Sequence, residues 1–318
     1  MNIQEKRKYL FKLVKLAEIK LRLYQEKYEE KDKGLSLINK AKKLLKYKGR
    51  YLKFVFSKIV GSLKVNSNLF FGRNFALYLP SAFGVYFFGI LDKHEIGLTK
   101  FLIKNLDENS IFYDVGAHYG FYSVLAKEII SQRGEVHAFE PIPKSFKILK
   151  ENFLSEENIF LNKKALFSRE GEKDIYEARN IISESSTFSI ESVKGPFSDQ
   201  YKERDFKKTK VDLITLDKYC FSHKKPTFLK IDAESSEPYI IEGGMNTLKI
   251  SNPVISMEVW SNELCNWPHI KATEYLYRLG YKSYKIKNNG DLRYIEKINF
   301  DKDIDKQSKV DNFIFRRL

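Results

Sequence analysis

The sequence predicts an α/β fold built on a mainly parallel sheet, with a helical extension in front of it. Three observations predict this. From Lys93 onward, short apolar runs alternate with segments of helical period. The first of those strands runs into a glycine-marked turn, "DVGAHYG", residues 114–120. The excess positive charge lies almost wholly before residue 65: residues 1–64 hold 19 Lys and Arg against 6 Asp and Glu, and the rest of the chain holds 37 against 35.

The extension reads as helix. Leu10, Val14, Ala17, Leu21, Tyr24 and Tyr28 recur at steps of three and four, which makes one apolar stripe. "EEKDKGLS" breaks it near Gly34, and a second basic helix follows, "SLINKAKKLLKYKGRYLKFVFSKIV". Such an arm, residues 1–64, suits contact with an anionic membrane surface. It equally suits a helical hairpin packed on the body or on a second subunit of a homo-oligomer. Nucleic acid fits less well, because the nearly neutral remainder offers no basic groove. Residues 65–93 read as a strand-rich connector. The uncharged run Phe75–Leu91 has 17 residues and contains Pro80, Gly84 and Gly89. It is short for a membrane span of about 20 residues and reads as two or three strands.

Residues 94–318 form the expected main domain. "DKHEIGLTKFLIKNL" reads as helix, "SIFYDVG" as the first strand and "GFYSVLAKEIISQ" as the helix after it. "GEVHAFEP" and "IPKSFKILKENFLSE" repeat that unit, with proline at the helix entry. "NIFLNKKAL" is the third strand, "PTFLKIDAE" the fourth and "PVISMEVW" the fifth; the helices "SEPYIIEGGMNTLKIS" and "HIKATEYLYRLG" follow the last two. Strand–helix alternation implies right-handed parallel crossovers. The terminal segments "YKSYKIK" and "DNFIFRRL" have only a loop between them, so an antiparallel edge strand is expected. Between Glu172 and Lys210 the chain is polar and aperiodic, and a loop is expected there.

The chemistry gathers at the carboxyl ends of these strands. Glycines at 116 and 120 let the backbone turn sharply into a helix N-terminus. Asp114 precedes them, and a carboxylate there repels a pyrophosphate. It suits an ammonium and sulfonium ligand, which favours S-adenosylmethionine over a dinucleotide. Glu140 ends the second strand about 20 residues past the turn, where an acid accepts ribose hydroxyls. Ala165 and Leu166 end the third strand and could line an adenine. In the fourth strand Lys230, Asp232 and Glu234 alternate within an apolar run. They form either a strand-end ion pair or the mouth of the site, with Glu237 beside them. Glu258 follows on the fifth strand. Carboxylates on adjacent strand ends can take a proton or hold a divalent cation; the sequence leaves that choice, and any metal ligands, open.

These segments, "IFYDVGAHYGFYSVLAKE…GEVHAFEPIPKSFKILKENF", "TLDKY…FLKIDAESSEPYIIEGG…PVISMEVW", "GY…NFIF" and the serine-rich "SESSTFSI", resemble the FkbM family of S-adenosylmethionine-dependent methyltransferases. The resemblance runs from about His94 to the C-terminus. It implies a Rossmann-like class I methyltransferase sheet and O-methylation of a sugar hydroxyl on a glycan, glycolipid or nucleotide sugar. The family pattern places the cofactor on Asp114, Gly116, Gly120 and Glu140, with Asp232 at the reaction centre. Beside those residues, Ala117, His118, Tyr119, Ser123, Pro141, Ala165 and Leu166 are expected to complete the cofactor contacts, with Asp232 among them. Glu234, Glu237, Glu258 and Lys230 are the further candidates for the reaction itself. The family's usual Asn is His118 here, a weak base, a cofactor contact or a plain hydrogen-bonding residue. Its usual D-x-E-G-A-E reads "DAESSE", which puts Ser235 where Gly would take positive φ cheaply. Two distant cysteines, Cys220 and Cys265, and a charged N-terminus without a secretory signal fit a cytoplasmic protein, associated with a membrane if the arm binds one.

Overall fold

The computed structural model describes residues 1–28, 37–154, 156–178, 186–187, 206–264 and 266–317. The helix break near Gly34, Cys265 and the serine-rich piece other than Ser186 and Thr187 lie outside the described residues. The chain divides into two compact units, Met1–Ile96 and Gly97–Leu318.

The first unit opens with two long helices, α1 (Ile3–Tyr28) and α2 (Leu37–Val60). The stripe on α1 is the buried one: Leu10, Val14, Ala17, Leu21 and Tyr24 are all enclosed. The Tyr24 ring lies 5.6 Å from Phe83 and 5.3 Å from Phe88. A hairpin follows, β1 (Leu63–Asn68) and β2 (Asn74–Leu79), antiparallel from Leu63 opposite Leu79 to Asn68 opposite Asn74. Phe75, Leu77 and Leu79 alternate into the interior of this unit. The uncharged run is therefore not all strand. Its second half is helix α3 (Phe83–Phe88), closed by Gly89 in the left-handed region at φ 71°. Residues 84–88 are all buried. A helix covered on every side carries no amphipathic signal, and its aromatic content reads as strand.

The second unit holds an eight-stranded sheet. After α4 (Ile96–Asn105) come β3 (Ile111–Val115), α5 (Phe121–Ile129), β4 (Glu135–Phe139), α6 (Pro143–Asn152) and β5 (Ile159–Asn162). A smaller sheet interrupts, made of β6 (Ala165–Leu166), β7 (Gly171–Ala178), β8 (Ser186–Thr187) and β9 (Phe206–Ile214). Then come α7 (Leu216–Ser222), β10 (Phe228–Ile231), α8 (Glu237–Glu242), α9 (Met245–Ser251), β11 (Val254–Trp260) and α10 (Trp267–Arg278). The chain ends with β12 (Lys282–Ile286), β13 (Leu292–Ile295) and β14 (Val310–Arg316). The large sheet runs β13-β12-β14-β11-β10-β3-β4-β5, and its five strands from β11 to β5 are parallel. β14 pairs antiparallel with β11 and β12, and β13 lies outside β12. The antiparallel end is thus three strands deep, and β14 sits inside it.

Three local readings change. "NIFLNKKAL" splits at Lys163–Lys164: β5 stays in the large sheet, and β6 pairs with β9 in the small one. Part of the expected loop is strand, since β7 and β9 pair antiparallel from Gly171 opposite Leu213 to Ala178 opposite Phe206. "SEPYIIEGGMNTLKIS" is two short helices, broken at Gly243–Gly244. A Cβ on Gly243 would meet the Phe167 carbonyl oxygen at 2.1 Å, so the backbones cross closely there. The core of the unit is aliphatic and aromatic: Tyr113, Val115, Phe139, Leu229, Ile231, Ile255, Met257, Phe313 and Phe315 form one buried cluster. Strands buried on both faces need that composition. A charged side chain in the middle of such a sheet therefore has to be matched by its neighbours.

Candidate active site

Lys230 is that charged side chain. It is 3% exposed, in the middle strand β10, and lies opposite Asp114 of β3 in the parallel register. Its Nζ donates to Asp232 Oδ2 at 3.1 Å and sits 3.6 Å from Asp114 Oδ1. The same ammonium stands over the Tyr122 ring, 5.2 Å from its centroid. Ser123 Oγ donates to Asp114 Oδ2 at 2.6 Å. Burial pushes the Asp114 carboxyl up from its ordinary value, and Lys230 and Ser123 pull it back down. Among the three charged groups the exposure is graded: Asp114 1%, Lys230 3% and Asp232 30%. The array is closed at Asp114 and open at Asp232.

The turn between β3 and α5 brings the cofactor candidates together. Gly116, His118 and Gly120 have φ of 75°, 53° and 88°. Gly116 admits no side chain: a Cβ there would lie 1.7 Å from the Asp232 carbonyl oxygen. The N–H groups of Gly116 and Ala117 both donate to the Phe139 carbonyl at 3.0 Å, which ties the turn to the end of β4. Gly120 is the N-cap of α5, where a Cβ would strike Leu149 at 2.5 Å. Tyr119 is buried, and its carbonyl accepts from Asn152 Nδ2.

Glu140 is 5% exposed and anchors the same turn. Its Oε2 accepts from the His118 N–H and its Oε1 from the Ile142 N–H, both at 2.8 Å, across Pro141. The left-handed backbone at His118 is what aims that N–H at Glu140, and its ring stacks on Tyr119 at 3.7 Å. Ala165 and Leu166 approach from β6 of the small sheet and not from β5. Ala165 packs in a cluster with Ile142, and Leu166 in the main core with Phe139.

The remaining acids separate. One step beyond the pairing of Ile231 with Met257, Asp232 and Glu258 stand at the same level of adjacent strands. Glu258 Oε2 accepts from Trp260 Nε1 at 2.8 Å. Glu234 is half-buried in the turn after Asp232, with φ 49°, and Ser235 follows at φ 74°. The left-handed turn that Gly would make cheaply is thus made by Ser, at a cost of roughly 1–2 kcal/mol. Glu237 does not line the opening. It is 1% exposed and points inward, its Oε1 accepting from the Ala233 N–H at 3.0 Å. Its Oε2 lies 3.8 Å from Nδ1 of the buried His269, whose Nδ1–H donates to the Glu258 carbonyl at 3.1 Å. Neither Tyr122 nor His269 carries a signal in the sequence. Each is placed by packing between elements whose relative position spacing does not give. Among the described residues no group of three or more His, Cys, Asp or Glu is placed to hold a metal ion.

Acids and a glycine turn thus stand together at adjacent carboxyl strand ends of a mainly parallel sheet. A family model described as the methyltransferase FkbM domain matches residues 114–283. That is over half of the chain, and the protein belongs to the FkbM methyltransferase family, with S-adenosylmethionine as methyl donor. Among solved structures, the methyltransferase FkbM from Methylobacillus flagellatus is 13% identical. The match covers 66% of this chain and 44% of that one, with a TM-score of 0.40; less than half of that relative's length is therefore spanned. Fibrillarin from Aeropyrum pernix, solved with natively bound S-adenosyl-L-methionine, is 11% identical over 69% of this chain and 73% of its own, TM-score 0.38. An O-methyltransferase from Thermotoga maritima is 10% identical over 80% and 78%, TM-score 0.38. No curated protein matches the sequence.

Burial sets opposite pH responses in the Glu237–His269 pair. It raises Glu237 from its ordinary 4.5 to about 7 and lowers His269 from 6.5 to about 4. From pH 4.5 to 7 the folded state keeps a Glu237 proton that the unfolded chain has lost, so this group's contribution to stability falls as pH rises. From pH 4 to 6.5 the unfolded chain binds the extra His269 proton, so that contribution rises. Glu237→Gln removes only the first effect. Its stability should gain on the wild type by about 3 kcal/mol as pH goes from 4.5 to above 7. Denaturant unfolding at each pH measures this; a difference that does not vary with pH would refute it.

Proposed function

We propose that the protein transfers a methyl group to a hydroxyl oxygen of a sugar carried on a glycan, a glycolipid or a nucleotide sugar. The observation that carries the reading is the graded exposure of the Asp114–Lys230–Asp232 array. Its open end is a carboxylate, the group a hydroxyl acceptor needs and an already ionised acceptor does not. The sugar class is supported by the family's common acceptors, sugars and glycosylated natural products.

The residues of this site fit the donor. Asp114, ion-paired with Lys230 at the foot of the turn, is the acid assigned to the ligand ammonium. Glu140, at the end of β4 beside the turn, is the acid assigned to the ribose hydroxyls. The Gly116–Gly120 turn supplies the close backbone approach, and Ala165 and Leu166 an apolar wall. When bound, S-adenosylmethionine supplies an electrophilic methyl on a sulfonium. Asp232 takes the acceptor's hydroxyl proton as that oxygen bonds to the methyl carbon, and the carbon–sulfur pair leaves with sulfur. Lys230 holds the Asp232 carboxylate at the opening. Glu234 and Glu258 flank it and orient the acceptor, and Glu237 fixes the turn from below.

Two substitutions separate donor binding from proton transfer. Asp232→Asn keeps the volume and should bind S-adenosylmethionine with near wild-type affinity while turnover falls about a hundredfold to ten-thousandfold. Glu140→Ala should instead weaken donor binding, read by calorimetry. Full turnover in the Asn variant on a sugar acceptor would sink the assignment of the base.

A further inference from the structure

Helix α2 has two faces with different occupants. Its inner face packs within its own unit: Arg50 donates to the carbonyls of Tyr86 and Phe87 at 3.2 and 3.5 Å, and Phe54 lies edge-on to Phe83 and Phe87. Ser57, on the same side, is fully buried. The opposite side is apolar and exposed. Leu52, Val55, Phe56, Ile59 and Val60 are 56, 39, 52, 77 and 49% accessible. Their spacing of three and four residues places them on a single arc of the helix. At 100° per residue, Lys53 and Lys58 border that arc on its two sides, and both are exposed.

The charge on this helix has one sign. α2 carries eight Lys and Arg and no acid. From Lys33 to Leu91 the chain holds eleven Lys and Arg and no Asp or Glu. Two copies joined through this face would bring two cationic surfaces together, which like-charge repulsion opposes. An anionic bilayer complements both features. Apolar side chains enter the acyl boundary, while lysines extend their stems along it and leave their ammonium groups among the phosphates. Among the described residues no helix is long and apolar enough to cross a membrane.

We infer that α2 lies in the plane of an anionic membrane surface, with Leu52, Val55, Phe56, Ile59 and Val60 inserted and the flanking lysines on the headgroups. The contact would hold the enzyme where lipid-linked acceptors are, but the inference rests on α2 alone and not on the acceptor.

The test is co-sedimentation of the full chain with vesicles of phosphatidylcholine, alone or with roughly a third phosphatidylglycerol. The wild type should bind the anionic vesicles, and the neutral ones far more weakly. Phe56→Asp with Ile59→Asp should weaken anionic binding about tenfold or more. Phe56→Ser with Ile59→Ser, which adds no charge, should weaken it in the same direction. Helix content by circular dichroism and a cooperative unfolding transition report folding in both variants. Failure of the wild type to bind anionic vesicles would overturn the inference. So would equal binding by the folded variants, or a wild-type dimer that ignores vesicles and dissociates on these substitutions.

Discussion

One buried ammonium organises the site. Lys230 stands in the middle of a largely apolar parallel sheet, and it is held between Asp114 of the neighbouring strand and Asp232 at the end of its own. Removing three charges from water is costly, and mutual attraction offsets this only when the geometry is good. Here it is helped by Ser123 on Asp114 and by the Tyr122 ring beneath the ammonium. Removal of one partner would leave a buried charge unmatched, so the three residues act as a unit.

Backbone strain completes the arrangement. Five residues near the strand ends, Gly116, His118, Gly120, Glu234 and Ser235, adopt positive φ. Two are glycines, for which this is cheap; the other three are held by what they bond or adjoin. His118 points its N–H at Glu140, and the Glu234–Ser235 turn is pinned by Glu237 from below. The close contact between Gly116 and the Asp232 carbonyl joins the two turns. The two turns therefore lie in close backbone contact, and a side chain at position 116 would displace the Asp232 backbone.

The parallel strands were legible because both of their faces are buried, so they read as apolar runs between helical periods. Asp114, Glu140 and Asp232 stood out as acids at the ends of those runs. The small sheet was not legible. Only Ile175, Val211 and Leu213 of β7 and β9 face its apolar cluster, while Lys208–Asp174 and Lys210–Glu172 pair across the strands, so the segment reads as a polar loop. The aromatic run at 83–88 read as strand because it is a helix without a polar face. Glu237 read as part of the opening because spacing does not say which way a side chain turns at a helix entry. Its inward turn depends on the Ala233 N–H and on His269, from a helix some thirty residues away.

If the ammonium keeps the buried Asp114 ionised, Lys230→Met should disturb binding before chemistry. Without it nothing offsets burial as strongly, Asp114 takes up a proton, and a cationic donor loses that carboxylate as its counter-charge. Calorimetric titration of S-adenosylmethionine into the folded Lys230→Met variant measures this directly. The account predicts an affinity lower by about tenfold or more. Wild-type affinity in that variant would contradict it.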